Sequence, residues 1–441
     1  MDAPSSPTLD ALRRGDLAGA RDLRLTGPLG AFPREVFGLA DTLERLDLSG
    51  CGLTELPADL GRLHRLRVLF CSGNRFERLP PALGDCRALS QVGFRATGLR
   101  EIPAEALPPM LRWLTLTDNR IEHLPDALGE RPHLQKLMLA GNRLSVLPPS
   151  FEGAERLELL RLSANTLAAL PPWLARLPRL AWIAWAGNPF EGEPAPARVP
   201  RVSWAALELG EGLGEGASGR IHRALWRRGS GEPQPVAVKL FKGRMTSDGL
   251  PEREMAACLA AGLHPNLTGA LGQVEGHPDG TEGLIMPLIP EGWRVLAGPP
   301  SLESCSRDVY ADDLSLPLAA VRRIATAVAR GAAHLHGCGL LHGDLYAHNT
   351  LWDGRDGEAV LSDFGAACLL PPAEAGAAWQ RVETRSWGIL LGELLDRCRA
   401  EPSDLTALRA LERACLADDP RERPAMTDIL GALSSDRCAD R

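Results

Sequence analysis

Lysine is nearly missing from this chain: among 441 residues and 49 cations, only Lys136, Lys239 and Lys242 are lysines. Where Arg is the habitual cation, a Lys at a special place carries information. Long apolar runs are missing too. No stretch of about eighteen apolar residues occurs, and Met1 to Asp10 is polar and proline-containing, unlike a secretion signal. A soluble, cytoplasmic protein with no membrane partner is the expectation. Paired cysteines are also absent. The ten that occur are scattered singly, which excludes the usual zinc spacing and a compact secreted framework and suits reduced thiols. The charge balance is mild, at −7 with a pI near 5.9, so nothing points to nucleic acid as a partner. The length exceeds what one core normally holds and suggests about two to three domains.

What the first half has is a period. After a short helix expected over residues 9–20, leucine-type residues recur at the first, fourth and sixth positions of units starting at Ala20, Leu43, Leu66, Leu89, Leu111, Leu134, Leu157 and Leu180. Every interval is 23 residues except one of 22. Position nine carries Asn74, Asn119, Asn142, Asn165 and Asn188, and Leu-Pro steps such as Leu56-Pro57 and Leu147-Pro148 follow. This resembles the leucine-rich repeat. One short strand cannot bury its own leucines, so stacked copies must share a core, giving an α/β repeat solenoid expected over residues 1–190. The position-nine Asn suits a ladder of backbone bonds because it offers both donors and an acceptor. The residue before each Pro is pushed out of the helical region, which turns the chain back along the convex side. Outward strand positions put Phe70, Trp113, Met138 and Trp182 in an apolar stripe, the kind that anchors a protein substrate or regulator on the concave face.

Three prolines within residues 194–200 predict an extended spacer, residues 191–203, before a second domain over 204–435. That domain begins with Leu213-Gly214-Glu215-Gly216-Ala217-Ser218-Gly219-Arg220-Ile221, a Gly-x-Gly-x-x-Gly followed by strand-like alternation. A turn then leads to Val236-Ala237-Val238-Lys239, where the rare lysine sits in an apolar run. Residues 250–262 read as a helix with Pro251 in its first turn and Gly262 at its end. Further on come His342-Gly343-Asp344-Leu345-Tyr346-Ala347-His348-Asn349 and Leu361-Ser362-Asp363-Phe364-Gly365.

This order and spacing resemble protein kinases. The resemblance implies an α+β two-lobed fold using ATP and Mg2+. It places Leu213, Gly214, Gly216, Gly219, Ile221 and Ala237 around the nucleotide, with Met286 at the back of the adenine pocket and Leu288 near its hinge bonds. Lys239 would hold the phosphates, steadied by Glu254, or alternatively by Glu252. Asp344 would be the catalytic base, and Asn349 and Asp363 the magnesium ligands. Glu383 stands where an Asp usually steadies the catalytic loop. Arg423 resembles the arginine that pairs with the Glu of an Ala-Pro-Glu, a motif this chain lacks, and so needs another partner.

Two further departures stand out. Gly343 and Tyr346 occupy places where kinases often have Arg and Lys, and no Ser, Thr or Tyr occurs from Asp363 to Glu383. Activation by phosphorylation of that segment is therefore not expected. Residues 290–317 lack periodicity and read as an insertion without an assigned role. The expected function is Ser/Thr protein phosphorylation with the repeats choosing the partner. The alternatives are a small-molecule phosphotransferase of the same fold, or a nucleotide-binding scaffold that transfers nothing.

Overall fold

The structure is a computed structural model that describes residues 7–192, 199–229, 231–243 and 245–439. It divides into two compact units, residues 1–177 with Asn188–Phe190, and Pro178–Gly187 with Glu191–Arg441.

In the first unit, strands Asp22–Arg24, Arg45–Asp47, Val68–Phe70, Gln91–Gly93, Trp113–Thr115, Lys136–Met138 and Leu159–Arg161 run parallel in sequence order. Their register follows the repeat, with Asp22 opposite Arg45, Arg45 opposite Val68 and so on to Lys136 opposite Leu159. The fourth-position residues Leu46, Leu69, Leu114, Leu137 and Leu160 point inward and are wholly buried, as expected for a strand that shares its core with its neighbours. Asparagine builds the ladder. Asn142 accepts from Ile121 N (3.1 Å) and donates to the carbonyls of Leu116 and Leu139 (both 2.9 Å). Asn74, Asn119 and Asn165 repeat the arrangement.

The N-terminal helix is Pro7–Arg14, shorter than the expected 9–20. Gly15 follows at φ +81°, a left-handed conformation that ends a helix. The apolar stripe also differs from expectation. Met138 is buried, Trp113 lies under the Lys136 ammonium 4.0 Å from its ring, and the Phe70 ring fills the space above Gly93. Trp182 differs as well: its segment belongs to the second unit and its side chain is wholly buried there.

The second unit opens with a six-stranded sheet in the order Leu207–Glu215, Gly219–Trp226, Gln234–Phe241, Gly283–Pro287, Gly272–Glu275, Arg201–Ser203. The last strand runs parallel to Gly272–Glu275 and sets Val202 into the sheet's core. The spacer expected over 191–203 therefore does not extend to its predicted end, since apolar burial at Val202 recruits that end into a strand. Residues 193–198 of that spacer lie outside the described residues.

Helix Pro251–Ala261 packs beside the sheet, starting with Pro in its first turn and closing at Gly262. A mainly helical layer follows, with Leu318–Gly337, Ala373–Leu395, Thr406–Cys415 and Met426–Ala439. In the first of these, Val321, Ile324, Val328 and Leu335 are wholly buried, one face of a 3.6-residue period. Trp387 fills the core against that helix and donates to the Ala325 carbonyl at 3.0 Å. A small three-stranded sheet, Arg294–Val295, Thr350–Trp352 and Ala359–Leu361, and a strand pair, Leu340–Leu341 with Cys368–Leu369, flank the loops that carry the candidate site.

Candidate functional site

The central strand Gln234–Phe241 presents Lys239, whose ammonium pairs with the Glu254 carboxylate from helix Pro251–Ala261. Both side chains are deeply buried. Burial works against the charge on Lys239, but Glu254 and then Asp363 outweigh it, so its pKa lies above the ordinary lysine value. Glu252, the alternative partner, is solvent-exposed. Lys242 acts elsewhere, donating to the Gly216 carbonyl at 2.8 Å and pairing with Glu215 at 2.7 Å, which anchors the glycine turn.

The ion pair lies in a cavity of about 560 Å³. Leu213, Gly216, Gly219, Ile221, Ala237, Met286 and Leu288 line it on the sheet side, and Asn349 and Asp363 on the other. Gly214 is not among the lining residues; it pairs with Ile221 in the sheet register. Asp344 is tied to the lining through Asn349, whose amide donates to the Asp344 carbonyl and to its Oδ2, both at 2.8 Å. With its amide hydrogens turned to Asp344, Asn349 has its side-chain oxygen left as an acceptor of the kind that could hold a cation. Asp363 adopts φ +62° and accepts from Gly365 N at 3.0 Å. A left-handed Asp is costly, and such conformations concentrate where function demands a particular aim.

Three supports were not foreseen from sequence. Ser362, the residue before Asp363, ties its strand end to Asn349, donating its N–H (2.7 Å) and Oγ (2.9 Å) to the Asn349 carbonyl. Asp308, from the unassigned insertion, receives His348 N at 3.0 Å and meets His348 Nδ1 at 2.7 Å. Burial lowers the His348 pKa, but the bond to Asp308 and the charge of Asp344 raise it above the ordinary value overall. His336 is the third: its Nε2 lies 2.8 Å from Glu383 Oε2. Neither Asp308 nor His336 announces itself locally, since each acts across a large sequence separation.

Glu383 is buried at the foot of the loop and accepts Gly343 N at 2.7 Å. Burial opposes its charge, yet the bond and charge of His336 keep its pKa below the ordinary value. Arg423, the arginine without its usual carboxylate, donates instead to the carbonyls of Pro178 (2.6 Å), Ala417 (2.9 Å) and Arg381 (3.3 Å). Between Asp363 and the helix that starts at Ala373 lie only residues 364–372. Most of the stretch expected to be an activation segment is thus the first half of a helix whose burial begins in earnest only at Val382.

Comparison with known proteins agrees with this architecture. Residues 207–387 match the protein tyrosine and serine/threonine kinase family. Residues 42–63, 109–167 and 132–190 match leucine-rich repeats. The chain carries leucine-rich repeats followed by a protein kinase domain.

Among curated proteins it is similar to the probable inactive leucine-rich repeat receptor kinase XIAO of Oryza sativa subsp. japonica, with 36% identity over 42% of this chain and 21% of that one. It is also similar to protein kinase gsk3 of Schizosaccharomyces pombe, with 26% identity over 26% of this chain and 29% of that one. The chain thus spans less than a third of the length of either relative. A solved leucine-rich repeat protein of Leptospira interrogans aligns at TM-score 0.37 and 25% identity, over 43% of this chain and 54% of that one.

Proposed function

We propose that this chain is an ATP- and Mg2+-dependent protein kinase acting on Ser or Thr in the cytoplasm, with its repeats binding a protein substrate or regulator. The observation that carries this reading is the buried Lys239–Glu254 pair inside a cleft whose opposite wall bears Asn349 and Asp363. Lys239 would bind phosphate oxygens, and the glycine turn would offer backbone N–H groups to the same charge. Asp344 would accept the proton of the acceptor hydroxyl on a carboxylate oxygen, held in place by Asn349.

One carboxylate and one carboxamide suit magnesium, which keeps water and phosphate oxygens as its remaining ligands. Consistent with that economy, the described residues contain no cluster of three or more His, Cys, Asp or Glu fit to hold a metal alone. When bound, the ion would be held by Asn349 and Asp363 and would offset the charge of the phosphates. Cytoplasmic location is supported by the cysteines, which are free thiols among the described residues. Among those residues, no helix is long and apolar enough to cross a membrane.

The test is incubation with labelled ATP, with Asp344→Asn in parallel. Label in protein, lost by about 10²–10⁴-fold in the variant, supports the reading, and analysis of the labelled amino acid separates Ser and Thr from Tyr. Label in a small molecule supports the other phosphotransferase class. A second reading, nucleotide binding without transfer, draws on the inactive designation of the rice relative; binding without label would establish it.

A further inference from the structure

Two departures from the kinase pattern, Gly343 and Tyr346, lie against the same short segment. Residues 178–187 carry the leucine pattern's last copy, yet they are part of the second unit. There the Trp182 ring stacks on Tyr346 with centroids 4.2 Å apart and planes 6° from parallel. Its Nε1 donates to the Leu345 carbonyl at 3.0 Å, one residue from Asp344. The Ile183 carbonyl lies so close to Gly343 that a Cβ there would approach it to 2.4 Å, and Gly343 is itself at φ +75°. Neither an Arg nor any other side chain fits at 343.

The segment is held at both ends. Pro178 gives its carbonyl to Arg423 at 2.6 Å. Trp185 donates to the Leu369 carbonyl at 3.1 Å, and the Glu191 carboxylate bridges Gly187 N (2.6 Å) and Leu369 N (2.9 Å). Tyr346, Gly343 and the displaced partner of Arg423 are therefore one adaptation with a single cause.

We propose that residues 178–187 are a built-in brace for the catalytic loop, with Trp182 a positioning residue for Asp344, so that the chain itself holds the loop without a phosphorylated segment. The inference rests on the phosphoryl-transfer reading for the role of Asp344. The short stretch 364–372 contains no hydroxyl side chain to modify, and within it Leu369 is bonded to Trp185 of the brace and to Glu191 just beyond it. The brace thus stands where a modified segment would otherwise have to be ordered. Ring stacking and one hydrogen bond hold the loop at its 345–346 step, and a buried acceptor that loses its donor is exposed to local opening.

The experiment uses the full chain with Trp182→Ala and Trp182→Phe, reading amide hydrogen exchange together with steady-state kinetics. Trp182→Ala is expected to speed exchange at residues 343–349 by about tenfold, because a stack and a hydrogen bond are both lost. Exchange in Leu318–Gly337 and Ala373–Leu395 should stay unchanged. The turnover number should fall by a similar factor while the KM for ATP stays within about twofold, since no cleft residue is altered. Trp182→Phe keeps a ring on Tyr346 but loses the N–H, so it should fall between the two and remains informative if the alanine variant does not fold.

Unchanged exchange at 343–349, or an equal rise throughout the helices, overturns the brace and leaves Trp182 as core packing. Faster loop exchange with an unchanged turnover number overturns its positioning role. If the unsubstituted chain transfers no phosphate, the kinase reading falls, and the exchange measurements still decide the brace.

Discussion

Asparagine does two different jobs in the two units, and the difference lies in what each side chain has left over. In the repeats, Asn142 spends both amide hydrogens and its oxygen on backbone groups. Asn349 spends its amide on Asp344 and retains its oxygen in a cleft. A buried polar group with all its capacity satisfied is structure. One satisfied on a single side, on a backbone that Ser362 fixes beside Asp363, has capacity left for a ligand.

The contrast can be attacked from both ends. Asn349→Ala should lower phosphoryl transfer by about 100-fold or more through loss of an ion ligand, with the thermal unfolding midpoint falling only by what its two bonds to Asp344 contribute; a small rate effect would make Asn349 merely structural. Asn142→Ala should do the reverse. It strands one N–H and two carbonyls, costing on the order of 2–4 kcal/mol, visible as earlier denaturant unfolding of the repeats, and a neutral outcome would dissolve the ladder argument.

A third test concerns the insertion, which supplies Tyr310 to Glu393 at 3.0 Å. Burial, and then the charge of Asp308, lift the Glu393 pKa from 4.5 to about 7. The folded chain therefore keeps a proton that the unfolded chain loses above 4.5, and stability falls as pH rises from there through about 7. Glu393→Gln should remove that slope, gaining on the order of 2 kcal/mol relative to the native chain between pH 5 and 8. Parallel stability curves would show that Glu393 does not titrate in this window. The smallest effect is expected from phosphatase treatment, which should leave the transfer rate within about twofold because the 363–383 stretch offers no hydroxyl; a large loss would reveal a phosphate-dependent switch elsewhere.

Much of this was readable in the residue order because the physics is local. A 23-residue period with leucines at one, four and six leaves stacked strands as the way to bury them, and each Cα pairing confirms that register. Lysine scarcity picked out Lys239, and a helix with Pro first and Gly last placed Glu254 beside it. The misses share a cause. Trp182 looked outward because strand alternation says which face a residue takes, not what later covers that face. Asp308 was hidden in a stretch without periodicity, 40 residues from the His348 it supports. The helix beginning at Ala373 was not foreseen, because the resemblance treated residues 363–383 as one activation segment.

Read alone, the order of amino acids gives the solenoid by its period, and the kinase domain and most of the cleft lining by resemblance to motifs that are each local in the chain. Only the folded chain decides who steadies the catalytic loop. Gly343, Tyr346 and Arg423 look like losses along the sequence, and become one fitted surface once residues 178–187 lie against them. Contacts between segments far apart in the chain depend on shape and on satisfying buried polar groups, and neither leaves a local pattern to read.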